Sequence, residues 1–223
     1  MVDAQTKLAV SLVIGPRSQQ RAEALWSDFA QRTDHGRPTL ITTDEYRVYA
    51  GALLTTYGVP QPVPRTGRRG RPRKPRLVPP PELVYAMVHK LRRKGRVVQV
   101  TLRRVFGTAR QLARALARSA VSTHVNTSFV ERFNATVRQH NSRKARKVYT
   151  FSKDLEQHVA MSWFAVSYYN FCRPHLGLRL QEDGRWRART PAMAAGLSDH
   201  LWSIREFMDY PLLHQSLVSV PDQ

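Results

Sequence analysis

Thr39-Leu40-Ile41-Thr42-Thr43-Asp44-Glu45 is a short, β-branched run that breaks directly into two acids. Its length and branching predict a strand whose end delivers a carboxylate. Upstream, residues 18–32 carry Ala22, Leu25, Trp26 and Phe29 at helical spacing behind Ser18, a good N-cap residue, so a helix with one apolar stripe is expected. Residues 6–14, apolar and ended by Gly15-Pro16, predict a buried strand before that helix. Strand, helix and strand of this size imply a right-handed crossover and a sheet flanked by helices, an α/β fold. A short helix over 44–56 should follow, stopped near Gly58-Val59-Pro60.

The rest of the chain continues the mixture. Residues 83–88 and 97–102 are apolar, β-branched runs inside an otherwise basic region. Helices are expected over 109–119, over 128–140, over 152–171 with Leu155, Val159, Trp163 and Val166 as its stripe, and at 190–195 with Pro191 in its first turn. Ser128-Phe129-Val130-Glu131 has the form of a capping box. No internal repeat is visible. The expected organisation is an N-terminal part at 1–60, a basic Pro/Arg-rich linker and insertion at 61–120, and a C-terminal helical region at 121–223.

Of the 223 residues 42% are hydrophobic, enough for one core with an appendage, while 36 Lys and Arg against 16 Asp and Glu leave a formal charge of +20. No stretch approaches the roughly 18 consecutive apolar residues of a membrane span, and no secretory leader is evident at Met1, so a cytoplasmic chain is expected. The one cysteine, Cys172, excludes an internal disulfide and a multi-thiolate zinc site. Such a charge selects polyanions, and nucleic acid first. Between positions 46 and 130 there are 18 Lys or Arg and one acid, Glu82. The stretch 67–76, interrupted and flanked by prolines, reads as an exposed linker, and its centre, Arg69-Gly70-Arg71-Pro72, is similar to the core of an AT-hook. Arg69, Arg71 and Lys74 are candidate DNA contacts there, in a groove or along the phosphates.

Two carboxylates stand in this basic company. Asp44 ends a strand, the place where α/β sheets gather ligands, and Glu131 opens a helix followed by Arg132, Arg138, Arg143, Lys144, Arg146 and Lys147. Two readings are open for each. Asp44 caps the next helix, and Glu131 is the reciprocal acid of its capping box; or both hold Mg²⁺, a hard cation that takes carboxylate and phosphate oxygens. On the second helix Glu131, Asn134 and Arg138 share a polar face, leaving Phe129, Val130, Phe133 and Val137 to be buried.

Asp3 to Leu8, Gly15 to Ser18, Thr42 to Tyr49, Val125 to Asn134, Thr150 to Lys153, Tyr169 to His175 and Thr190 to Gly196 follow in an order that resembles insertion-sequence-one-type DDE transposases across nearly the whole chain. The resemblance implies an RNase H-like core, two Mg²⁺ or Mn²⁺ ions, strand cleavage and strand transfer on double-stranded DNA at transposon ends and target, and a homo-oligomer on that DNA, associated with the nucleoid. It matches Asp44 to the second catalytic acid and metal ligand and Glu131 to the third, with phosphate contacts from Arg132, Arg138, Lys144 and Lys147. Three antiparallel strands open an RNase H-like sheet, with the first acid on the first of them. Here one strand is expected before the helix, so Asp3 reads as the turn residue of an Asp-x-x-Thr-Lys hairpin, and the chain reads as N-terminally truncated with impaired activity. The alternative is a DNA-binding remnant that regulates transposition without catalysing it.

The remaining candidates are structural. Cys172 and His175 lack a partner pair for metal binding and read as a corner closing the long helix, and Trp163, Trp186 and Trp202 read as packing residues. Tyr46 and Tyr49 would need an arginine constellation to serve a tyrosine recombinase.

Overall fold

The computed structural model describes residues 1–63, 74–145 and 149–214, the last four by their backbone alone. Two compact units divide the chain, Met1 with Val10–Phe129, and Val2–Ala9 with Val130–Gln223. The fold is mixed α/β, and among the described residues no helix is long and apolar enough to cross a membrane.

The first unit opens with α1 (Gln19–Arg32), which Ser18 caps by accepting from the Arg21 amide at 3.2 Å. β1 (Ile41–Asp44), α2 (Val48–Tyr57), β2 (Val59–Gln61), β3 (Arg76–Val78), β4 (Tyr85–Arg93), β5 (Arg96–Phe106) and α3 (Ala109–Ala117) follow. β1 lies parallel to β4, and β4 antiparallel to β5, giving a three-stranded mixed sheet in the order β1-β4-β5. Side chains alternate along β4, and at its start both faces are covered. Tyr85 and Met87 join Trp26, Ala30, Ile41, Leu53 and Tyr57 in one core under α1 and α2, while Val84 and Ala86 join Leu112 of α3 on the other face.

Thr108 and Gln111 close a capping box at the start of α3, with Gln111 N–H on Thr108 Oγ1 at 3.2 Å and Thr108 N–H on Gln111 Oε1 at 2.7 Å. Thr108→Ala removes the cap and is expected to cost about 1 kcal/mol, read as a lower urea midpoint at unchanged slope.

The second unit holds most of α4 (Ser128–His140), then α5 (Leu155–Phe171), the hairpin β6 (Leu180–Glu182) and β7 (Arg185–Arg187), α6 (Pro191–Ala194) and α7 (Ile204–His214). Asp154 caps α5, and Thr190 caps α6 with Pro191 in the first turn as its sequence suggests. α5 buries Ser162, Val166, Tyr169 and Asn170, so its inner face includes two polar residues, and Leu155 of the expected stripe is 62% exposed.

Three expectations need correction. Residues 6–14 form no strand: they carry one antiparallel bridge, Val2 with Ala9, and the outward N–H and C=O of Ala9 are bound by the side chain of Asn170. The helix after β1 begins at Val48, because Asp44 still pairs with Val88 in the sheet and a turn intervenes. Ser128 is already helical, its amide and hydroxyl both bound to Asn126 Oδ1, so it is not the cap of a Ser-x-x-Glu box.

Candidate functional site

Asp44 is the last residue of β1, at the carboxyl end of the parallel pair, and its side chain is exposed. The helix that follows has Arg47 at its cap position with no side-chain capping bond, so Asp44 is not a helix cap. Among the described residues its carboxylate accepts no hydrogen bond and joins no ion pair. An acid without a structural partner at a strand end is free to bind something else.

Its surroundings are aromatic. Thr43 Oγ1 lies 2.8 Å from the Tyr85 hydroxyl, and burial pushes the Tyr85 phenol up to about 12 against that hydrogen bond. Tyr49 is raised by burial and then by the charge of Asp44. Tyr46 packs edge-on against Tyr49 at 5.2 Å, and the Arg17 guanidinium sits 4.4 Å above the Tyr46 ring. Glu45 is paired with His89 on β4. That pair was not legible in the sequence, since only the register of β1 against β4 brings the two together.

α4 buries Phe133 and Val137, leaves Phe129 and Val130 half-buried, and exposes Glu131, Arg132, Asn134 and Arg138, so the polar face is as its sequence predicts and the buried face is narrower. Lys144 ends a short 3₁₀ turn capped by Asn141, and burial pushes its ammonium down. Lys74 is exposed. Arg69, Arg71 and Lys147 lie outside the described residues.

Arg132 has cationic neighbours in the same unit. The His175 imidazole is pushed below its ordinary value by burial and then by Lys7, Arg132 and Arg173. Lys7 is lowered by burial and by Arg132, against the raising effect of Asp3. Among the described residues buried Arg173 Nη1 has no hydrogen-bond partner. Cations that lower one another in this way disfavour one another, and an anion among them would relieve the repulsion. Lys7, Arg173 and His175 lie in the stretches Asp3 to Leu8 and Tyr169 to His175, where sequence alone points to no anion contact. The signal available was their charge, which sequence separation concealed as a cluster. His175 also caps the turn Leu176–Leu178, and Cys172 caps α5, so the structural corner at this point is present. Trp186, by contrast, is 57% exposed under Arg179 rather than packed.

Asp3 is occupied in its turn: its carboxylate accepts from Thr6 N–H at 2.8 Å and Gln5 N–H at 3.3 Å and from the Thr6 hydroxyl. It is not available as a substitute ligand. Among the described residues no three His, Cys, Asp or Glu side chains group to hold a metal. The carboxylate of Asp44 fits the donor chemistry of Mg²⁺, which commonly takes one or two carboxylates and completes its shell with water and phosphate. Glu131 belongs to the other unit.

No protein-family model matches the chain, and no curated protein or solved structure matches it either.

Proposed function

We propose that the chain is a DDE-type transposase of the insertion-sequence-one kind with impaired cleavage, acting on double-stranded DNA, with Asp44 and Glu131 as metal-holding acids. The observation that carries the reading is Asp44, a carboxylate without a structural partner among the described residues, at the carboxyl end of β1 and inside a motif that resembles one of that family. The parallel pair β1 and β4 under two helices supports an RNase H-like core. Asp44 and Glu131 would each offer a carboxylate to a divalent cation, which would neutralise charge at phosphate and make its bound water more acidic. The residues of the chain bind and orient the duplex: Arg132, with Lys7, Arg173 and His175, receives phosphate, and Arg138, Lys144, Lys147, Lys74, Arg69 and Arg71 extend the contact. In this reading the chain works as a homo-oligomer on the nucleoid.

The test uses the full chain with supercoiled plasmid and Mg²⁺ or Mn²⁺. Slow nicking, abolished by EDTA, is expected. Salt-sensitive duplex binding without nicking would favour the regulatory remnant, a reading that the commitment of Asp3 to its turn supports. A chain that does neither removes the proposal.

The cationic cluster gives an independent check. Phosphate beside His175 favours the imidazolium, so duplex DNA is expected to raise the pKa of His175 from its lowered value. The bound state then holds more protons than the free state, and affinity rises as pH falls through the imidazole range. An NMR titration of His175 with and without duplex reads this directly, and an unmoved resonance would exclude the cluster from the interface.

A further inference from the structure

We propose that the β4–β5 hairpin is a duplex-DNA-binding arm that lies in the major groove. It deepens the DNA-facing part of the reading above and does not rest on the acids.

The hairpin leaves the body of the first unit as a two-stranded ribbon. Residues 91–104 are all exposed, and among the described residues β5 is an edge strand paired with β4 alone. At roughly 3.3 Å per residue, its exposed part, 96–104, is about 30 Å long. The tip is a two-residue turn, Lys94 at φ 48° and Gly95 at φ 79°, the left-handed pair that closes a tight hairpin and matches strand twist. A ribbon of this kind is built to stand away from the protein.

Its chemistry selects the occupant. Lys90, Arg92, Arg93, Lys94, Arg96, Arg103 and Arg104 lie between Tyr85 and Phe106, and no acid does. Among the described residues none of Arg92, Arg93, Lys94, Arg96, Arg103 and Arg104 has an ion-pair partner. Alternation puts Val100 and Leu102, 60% and 50% exposed, on one face of β5, and Val98, 53% exposed, is the extra residue of a bulge between the pairs Leu91–Gln99 and Arg92–Val97. A second copy of the ribbon would set these cations against like charges. Duplex DNA offers phosphates to the arginines and thymine methyl groups to the apolar face, and a major groove about 12 Å wide admits a two-stranded ribbon where a minor groove of about 6 Å does not.

The experiment measures binding of the full chain to a 30-base-pair duplex by fluorescence anisotropy over a salt series. The hairpin variant Arg92→Gln/Lys94→Gln/Arg96→Gln is compared with Arg110→Gln/Arg114→Gln/Arg118→Gln, which removes equal charge from exposed positions on and just after α3. The hairpin variant is expected to lower the slope of log K on log salt by about 2 to 3 and to bind at least about tenfold more weakly at physiological salt. Equal losses in both variants would reduce the hairpin to its share of net charge and overturn the proposal. A hairpin variant that binds like wild type would overturn it while leaving the functional reading intact, whereas a wild-type chain that ignores duplex would overturn both. Duplex whose major groove is filled by glucosylated hydroxymethylcytosine should bind more weakly, and distamycin in the minor groove should change little; the reverse pattern overturns the groove assignment. Val98→Thr/Val100→Thr/Leu102→Thr should weaken DNA binding at unchanged oligomeric state; conversion of an oligomer to monomer at unchanged DNA affinity would assign the face to self-association instead.

Discussion

Asp44→Asn is expected to lower metal-dependent nicking of supercoiled DNA by roughly 10²-fold or more, while leaving the fold and DNA binding in place. Asn keeps the shape of the side chain and one oxygen but not the charge that a hard cation requires. The structural cost is small because Asp44 is exposed and its carboxylate accepts no hydrogen bond among the described residues, so stability should stay within about 0.5 kcal/mol of wild type. Removing a negative charge from a surface that faces phosphate leaves DNA affinity equal or slightly tighter, the opposite of what general damage to the protein would do. Glu131→Gln should lower nicking in the same direction. Unchanged nicking in both variants, measured by plasmid relaxation with EDTA as the blank, would show that the two acids are not the metal ligands. Loss of nicking together with loss of thermal stability would assign Asp44 to the fold instead.

Much of the architecture is legible locally because local rules decide it. Ser18 reads as a cap and is one, Pro191 sits in a first turn, and the β-branched runs at 83–88 and 97–102 became the two strands of one hairpin. The polar and buried faces of α4 follow from spacing alone, with Phe133 and Val137 inside and Glu131, Arg132 and Arg138 outside. Residues 6–14 were misread because composition does not distinguish a strand in a sheet from an extended segment bonded by side chains. The deciding partner, Asn170, is 161 residues away from Ala9. The same distance hides the cationic group: Lys7, Arg132 and Arg173 lie in three separate motifs and meet through the fold of the second unit. The start of α2 was misplaced for a different reason, since the acids after β1 looked like a cap while the sheet register kept Asp44 in the strand.

Asn170→Ala should therefore be among the most damaging substitutions outside the apolar cores. Asn170 and Ala9 are 7% and 6% exposed, and the amide spans both outward groups of Ala9: Oδ1 accepts the Ala9 N–H at 3.0 Å, and Nδ2 donates to the Ala9 C=O at 2.9 Å. Truncation leaves a buried donor and a buried acceptor unpaired, at about 1–3 kcal/mol each, so a loss of roughly 3 kcal/mol is expected, about a hundredfold in the folding equilibrium. Asn170→Asp preserves the acceptor but sets a carboxylate oxygen against the Ala9 carbonyl, and should cost at least as much. Tyr169→Phe removes one bond, from the Tyr169 hydroxyl to the Lys7 carbonyl at 3.1 Å, and should cost about 1 kcal/mol. Because both residues grip the same short segment, the double variant should lose less than the two single losses added together. Urea unfolding gives these values. An Asn170→Ala chain within about 0.5 kcal/mol of wild type would mean that water replaces the amide and that the clamp is not what holds the segment. The held segment also carries Lys7, which lowers the His175 imidazole after burial does, so releasing it should let that imidazole move back toward its ordinary value.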